Sequence, residues 1–159
     1  MRPWLPLALA AAFLAQPAAA FDLTGTWEGK QTCSGSSAGE KFSFSIPSTL
    51  LITQTGTALH IHVVSESGTD VYQGVGVDSV AKPPNGDAYF IHCGTSHVPE
   101  TGDDFDESGR ATVKTKEETG GGAFKGTSAF FNAAPEVASC RWSYKRTDVG
   151  DPDVDGCAG

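Results

Sequence analysis

After Ala20 the chain is built from short runs in which apolar and polar residues alternate, separated by glycine-rich breaks. No stretch holds apolar residues at helical spacing. Alternation at period two means strands with one buried face. The runs predict eight strands, at 23–33, 42–54, 58–65, 70–79, 88–94, 110–117, 123–132 and 139–147. Turn chemistry marks the cuts: "TQTGTA", "SESGTD", "KPPNGD" and "EETGGG" fall between runs, and two adjacent prolines do not sit in a central strand. Pro47 predicts a bulge or break within the second strand. In the third strand Leu59, Ile61 and Val63 share one face, while His60 and His62 share the other. In the fourth, Val71, Val75 and Val77 oppose Tyr72, Gly74 and Gly76. Short links make sequence neighbours pair. The fold class expected is all-β: an antiparallel, up-and-down, eight-stranded barrel, whose closure removes exposed edges. A two-sheet β-sandwich is the alternative.

A closed barrel requires the first strand to pair with the last, and the residues allow it. Setting Cys33 opposite Cys140 also sets Trp27 opposite Arg146, Tyr144 opposite Gly29, and Glu28 opposite Lys145. An aromatic covering a bare cross-strand glycine and an outward pair of opposite charges are both favourable.

The opening "LTGTW" and the strand count resemble the calycins, the lipocalin and avidin type of barrel. The resemblance implies that Gly25-x-Trp27 packs inside the closed end, with Arg146 of the last strand lying across the indole. It also implies a small molecule held in the barrel. Bacterial metalloprotease inhibitors are similar in barrel and in their Gly-x-Trp start, which leaves inhibition as a second possibility.

Residues 1–20 read as a signal peptide: Arg2 starts it, Leu5 to Leu14 form its apolar run, and Ala18-Ala19-Ala20 suits cleavage. The protein is then exported, to the periplasm or beyond the cell. Residues 21–147 form the barrel domain, and 148–159 form an acidic tail. No second run of spanning length follows, so no membrane span is expected. The four cysteines of an exported chain predict two disulfides. The pairing expected is Cys33–Cys140 with Cys93–Cys157, which ties the tail to the barrel. Cys33–Cys93 with Cys140–Cys157 is the fallback. The formal net charge is −8, or −9 once Arg2 leaves with the leader. That argues against nucleic acid and anionic membranes, and favours a cationic ligand or partner.

If the first strand runs upward from Trp27, the longer loops lie at the top, around an open mouth. The fifth-to-sixth loop carries Glu100, Asp103, Asp104, Asp106 and Glu107, an acidic group read as a solvated rim or a partner site. The ligand-binding candidates are the upper, inward residues Ile61, Val63, Tyr89, Ile91, Phe130 and Trp142. His60 and His62 face outward and read as a solvated pair rather than a metal half-site, with His92 on the same surface. "DPDVDG" at Asp151–Gly156 echoes a calcium loop, but nothing helical flanks it. No nucleophile elbow, phosphate loop or catalytic constellation is legible, and no metal or cofactor is expected. The sequence therefore describes a non-enzymatic, exported binding protein that carries a small molecule. The alternative is a module that binds a secreted protein through its mouth loops, such as a protease inhibitor.

Overall fold

A computed structural model describes residues 21–37, 40–79, 85–98, 103–116, 120–131 and 137–158. The leader and Glu100 lie outside them. Among the described residues nine strands run in chain order: β1 Gly25–Ser37, β2 Glu40–Thr55, β3 Ala58–Ser65, β4 Gly68–Asp78, β5 Asn85–His92, β6 Ser96–Val98, β7 Asp103–Lys116, β8 Gly121–Phe131 and β9 Val137–Asp148. Eight of them form a closed ring, β1-β2-β3-β4-β5-β7-β8-β9, in which every pairing is antiparallel. The short β6 pairs with the upper end of β7, outside the ring. The barrel is therefore up-and-down and eight-stranded, and the sandwich is ruled out.

The first and last strands meet as the sequence requires. Cys33 faces Cys140, Trp27 faces Arg146, Gly29 faces Tyr144, and Glu28 faces Lys145. A Cβ at Gly29 would lie 2.7 Å from the Tyr144 Cα and 2.8 Å from its ring, so the bare backbone is what lets the tyrosine lie over β1. Pro47 does not break β2. β3 pairs with β2 only from Thr49 onward, so the upper half of β2 has a free edge where a residue lacking N–H is tolerated.

Three expectations about strands need correction. On β4 the valine face points outward, with Val75 and Val77 47% and 44% exposed, and Tyr72 is the buried residue because its hydroxyl finds Glu107 inside. The acidic run 103–107 belongs to β7, not to a loop, and within it Asp106 is exposed while Glu107 is buried. Its charges masked an ordinary period-two alternation. On β5 the inward residues are Ala88, Phe90 and His92, so Tyr89 and Ile91 face outward, at 43% and 51% exposure. Both faces of β5 are apolar, and alternation alone cannot choose between them. The choice falls to Phe90, because Gly109 of β7, opposite it, leaves room for its ring.

The closed end is filled by Phe21, Leu23, Trp27, Leu50, Ile52, Leu59, Val113 and Phe124, all buried. Trp27 donates its indole N–H to the Leu23 carbonyl at 3.0 Å. The Arg146 guanidinium lies 4.6 Å from the indole centroid and donates to the Asp22 carbonyl. Such a cation–aromatic contact stabilises by about 0.5–2 kcal/mol. Above this base Phe90, Phe124, Trp142 and Tyr144 interlock, with ring centroids 4.7 to 6.4 Å apart. Tyr144 shares a 2.6 Å hydrogen bond with Ser48, and burial pushes its phenol up to about 12.

Cys33 is bonded to Cys140 inside the barrel, and Cys93 to Cys157 on its outer wall, which excludes the fallback pairing. The second bond holds the tail as a strap. Thr53 Oγ1 donates to Asp151 Oδ1 at 2.7 Å and accepts from the Val154 N–H at 3.0 Å. Higher up, His62 Nε2 meets the Asp155 carbonyl at 2.9 Å. The "DPDVDG" segment is thus the body of the strap.

Candidate functional site

Polar residues on the inner face of a barrel must find partners among themselves or with a ligand. Above the aromatic layer five strands supply such residues: Gln31 from β1, Tyr72 from β4, His92 from β5, Glu107 from β7 and Ser128 from β8. Gln31, Glu107 and Ser128 are buried polar groups, with Glu107 only 3% exposed. Each reaches the interior because it falls in step with the apolar residues of its strand. Gln31 follows Trp27 and Gly29, and Glu107 precedes Gly109 and Ala111.

Tyr72 is the centre of the group. Its hydroxyl donates to Glu107 Oε2 at 2.5 Å. Its ring packs edge-on against Phe90, His92 and Trp142, with centroids 5.8, 4.9 and 5.5 Å away. The Gln31 amide lies near this hydroxyl, outside hydrogen-bond geometry. Burial, reinforced by the neighbouring Glu107 charge, pushes the phenol far above its ordinary value, so Tyr72 is a permanent donor. Ser128 accepts the Trp142 indole N–H at 2.8 Å and lies beside the Glu107 carboxyl.

Burial drives the Glu107 carboxyl above its ordinary range, although Ser128, Tyr72 and His92 pull it back down. His92 is raised too, first by Asp70, whose Oδ1 is 3.6 Å from Nε2, and also by the Gly94 carbonyl, 3.1 Å from Nδ1. Acceptors beside both ring nitrogens favour the imidazolium. Within this group two buried atoms have no hydrogen-bond partner among the described residues: Glu107 Oε1 and Gln31 Nε2. One is an acceptor and the other a donor.

The candidates read from the sequence separate into three groups. Ile61, Val63 and Trp142 are buried in the interior, and Trp142 touches the polar group directly. Phe130 is half-buried and pairs across the sheet with Glu107. Tyr89 and Ile91 are on the outer wall and cannot line the interior. Of the acidic group, Asp103, Asp104 and Asp106 lie along β7, and Glu107 enters the barrel. His60 and His62 do face outward, against the strap. His92 does not join them, because its side chain is 8% exposed and turned inward at the top of β5.

Sequence reading missed Tyr72, Gln31, His92 and the inward role of Glu107. The signal available was a polar residue in phase with a core stripe. Gln31 showed it on β1, two positions beyond Gly29.

The outer wall has a different character. Arg110, Lys125 and Arg141 line a groove of about 480 Å³ with Thr112, Thr127 and Ser143, on neighbouring strands β7, β8 and β9. Among the described residues no group of three or more His, Cys, Asp or Glu could hold a metal ion. Searches for a matching protein family, a similar curated protein and a similar solved structure found none.

Proposed function

We propose that this chain is an exported, non-enzymatic carrier of calycin type, which holds a small molecule in the upper half of its barrel. The observation that carries the reading is the pair of orphaned buried atoms, Glu107 Oε1 and Gln31 Nε2, above a base already filled by aromatic rings. A buried polar group left unpaired costs about 1–3 kcal/mol. A barrel that needed only to fold has no use for two of them on adjoining side chains. The two disulfides suit an oxidising compartment. Native mass spectrometry of protein purified from the exported fraction should find a bound small molecule. Displacing it should change the fluorescence of Trp142, which packs against Tyr72. A homogeneous, ligand-free mass, together with no fluorescence response to a metabolite extract, would overturn the reading.

A second reading, binding to another exported protein, is favoured by the basic groove of Arg110, Lys125 and Arg141 on an otherwise acidic chain. Charge reversal at Lys125 and Arg141 should then abolish capture of an acidic partner, and capture that persists counts against it.

A further inference from the structure

On the carrier reading above, which this assignment requires, we propose that the ligand is a small primary amine, with Glu107 as the counter-ion of its ammonium group. A buried carboxylate must be paired or lose its charge. The ion pairs among the described residues are His92–Asp70 and Arg110–Asp87, and neither uses Glu107. No lysine or arginine of the described chain neutralises it; the cation that faces it is His92, whose two ring nitrogens are turned to Asp70 and the Gly94 carbonyl. Oε2 is taken by the Tyr72 hydroxyl, so Oε1 is the atom left to accept an N–H.

The surroundings favour a compact cation. Glu107 is 3% exposed and its Oε1 is covered, so a head group has to displace neighbouring side chains to meet it, and an ammonium, smaller than a guanidinium, displaces least. Half-buried Phe130 sits opposite Glu107 on β8, and the apolar body of a ligand can lie against it. Gln31 Nε2 is a donor and cannot serve the ammonium. It adjoins the same Tyr72 hydroxyl and therefore asks for an acceptor close to the amine, such as a hydroxyl or a ring nitrogen. The chain's net negative charge draws cations toward the protein.

The ionisable groups facing Glu107 are Tyr72 and Asp70 from β4 and His92 from β5; the neutral neighbours are Gln31 from β1 and Ser128 from β8. Of these groups, Glu107 itself must lose its proton to pair with an ammonium. Amine binding therefore weakens as the pH falls and Glu107 is protonated.

The test is a matched set of probes on one skeleton, titrated into the leader-free chain by calorimetry and tryptophan fluorescence: phenethylamine, phenethyl alcohol and 3-phenylpropanoate. The amine should bind at least tenfold more tightly than the alcohol, and the carboxylate should not bind. Near pH 5 the amine's advantage should shrink. Glu107→Gln should reduce amine affinity to that of the alcohol, with near-ultraviolet circular dichroism confirming the fold. The probe series on the unaltered chain decides between the outcomes even if that variant misfolds. An alcohol or carboxylate that binds as tightly as the amine overturns the amine assignment and leaves the carrier reading standing. Failure of all three to bind the folded chain overturns the amine assignment, and the carrier reading is then decided by the native mass and the response to a metabolite extract.

Discussion

Replacing Glu107 with glutamine should make the empty barrel more stable at neutral pH. The carboxyl is buried, its Oε1 is unpartnered, and burial raises it above its ordinary value. A carboxyl whose folded-state value is raised holds a proton that the unfolded chain has released. Its contribution is fully present below the ordinary glutamate value and is lost as the pH rises through the folded value. His92 is also raised, so its contribution is likewise present in acid and lost as the pH climbs through its own folded value. The unaltered barrel is therefore penalised on the alkaline side by both groups. Glutamine keeps an oxygen for the Tyr72 hydroxyl and removes the buried charge. Near pH 8 the gain should be about 1–2 kcal/mol, the order of a buried unsatisfied group. That corresponds to roughly 3–8 °C in Tm for a domain of this size. Below the ordinary glutamate value the difference should vanish, because there the raised carboxyl of the folded barrel is protonated and the unfolded chain's is too. The assay is Tm by circular dichroism across that range, for both proteins without added ligand. A Glu107→Gln barrel that is less stable by the same amount at every pH refutes the reasoning, because the carboxylate would then be a satisfied structural group. A gain in stability with a loss of amine binding is what a functional buried charge should give.

Three further outcomes follow from other parts of the barrel. Cys33–Cys140 spans 107 residues and Cys93–Cys157 spans 64, so chain entropy assigns them about 5 and about 4 kcal/mol. Serine at Cys93 and Cys157 should speed hydrogen exchange at His62 and the tail while leaving the Trp27 environment unchanged, and a global loss of tertiary signal would show that the strap is part of the core. Gly29→Ala should destabilise by about 1–3 kcal/mol or more, because the new Cβ runs into the Ser143 carbonyl and Tyr144, whereas Gly56→Ser has open space and meets only its positive φ of 60°; equal denaturation midpoints for the two variants would contradict the close approach. Cleavage after Ala20 would convert the Phe21 nitrogen, 2.7 Å from Asp78 Oδ1, into an ammonium. Asp78→Asn should then cost the processed chain about 1 kcal/mol and the unprocessed chain less, measured in urea, and an equal effect in both would dissociate Asp78 from processing.

What could be read from the sequence follows from which interactions leave a pattern. The seam between β1 and β9 was legible because its contacts are pairwise and cross-strand. Trp27 with Arg146, Tyr144 with Gly29, and Cys33 with Cys140 all obey one register, so each tests the others. The polar interior leaves no such trace. Glu107 sits among Asp103, Asp104 and Asp106, and in a row of acids the one that turns inward looks like its neighbours. β5 offered an apolar residue at every position from Ala88 to Ile91, so its phase was fixed only by Gly109 on β7, a strand whose beginning was hidden by those same acids. One error produced the other. Misplacing the start of β7 removed the partner that would have turned Phe90, and with it His92, inward.

That dependence also says where the site comes from. β5 and β7 form the seam that closes the ring, and there Ile91 faces Ser108 and Phe90 faces Gly109. The next step upward along the same seam brings His92 and Glu107 together, across from Tyr72, which β4 pairs with His92. A slip of one residue at this seam would send Glu107 and Gly109 to the outer face and drive Ser108 and Arg110 into the barrel. The inward glycine therefore does more than admit the Phe90 ring. By making only one phase of β7 sterically and electrostatically tolerable, it fixes the buried carboxyl in place. The contact that closes the ring is the one that assembles its polar interior.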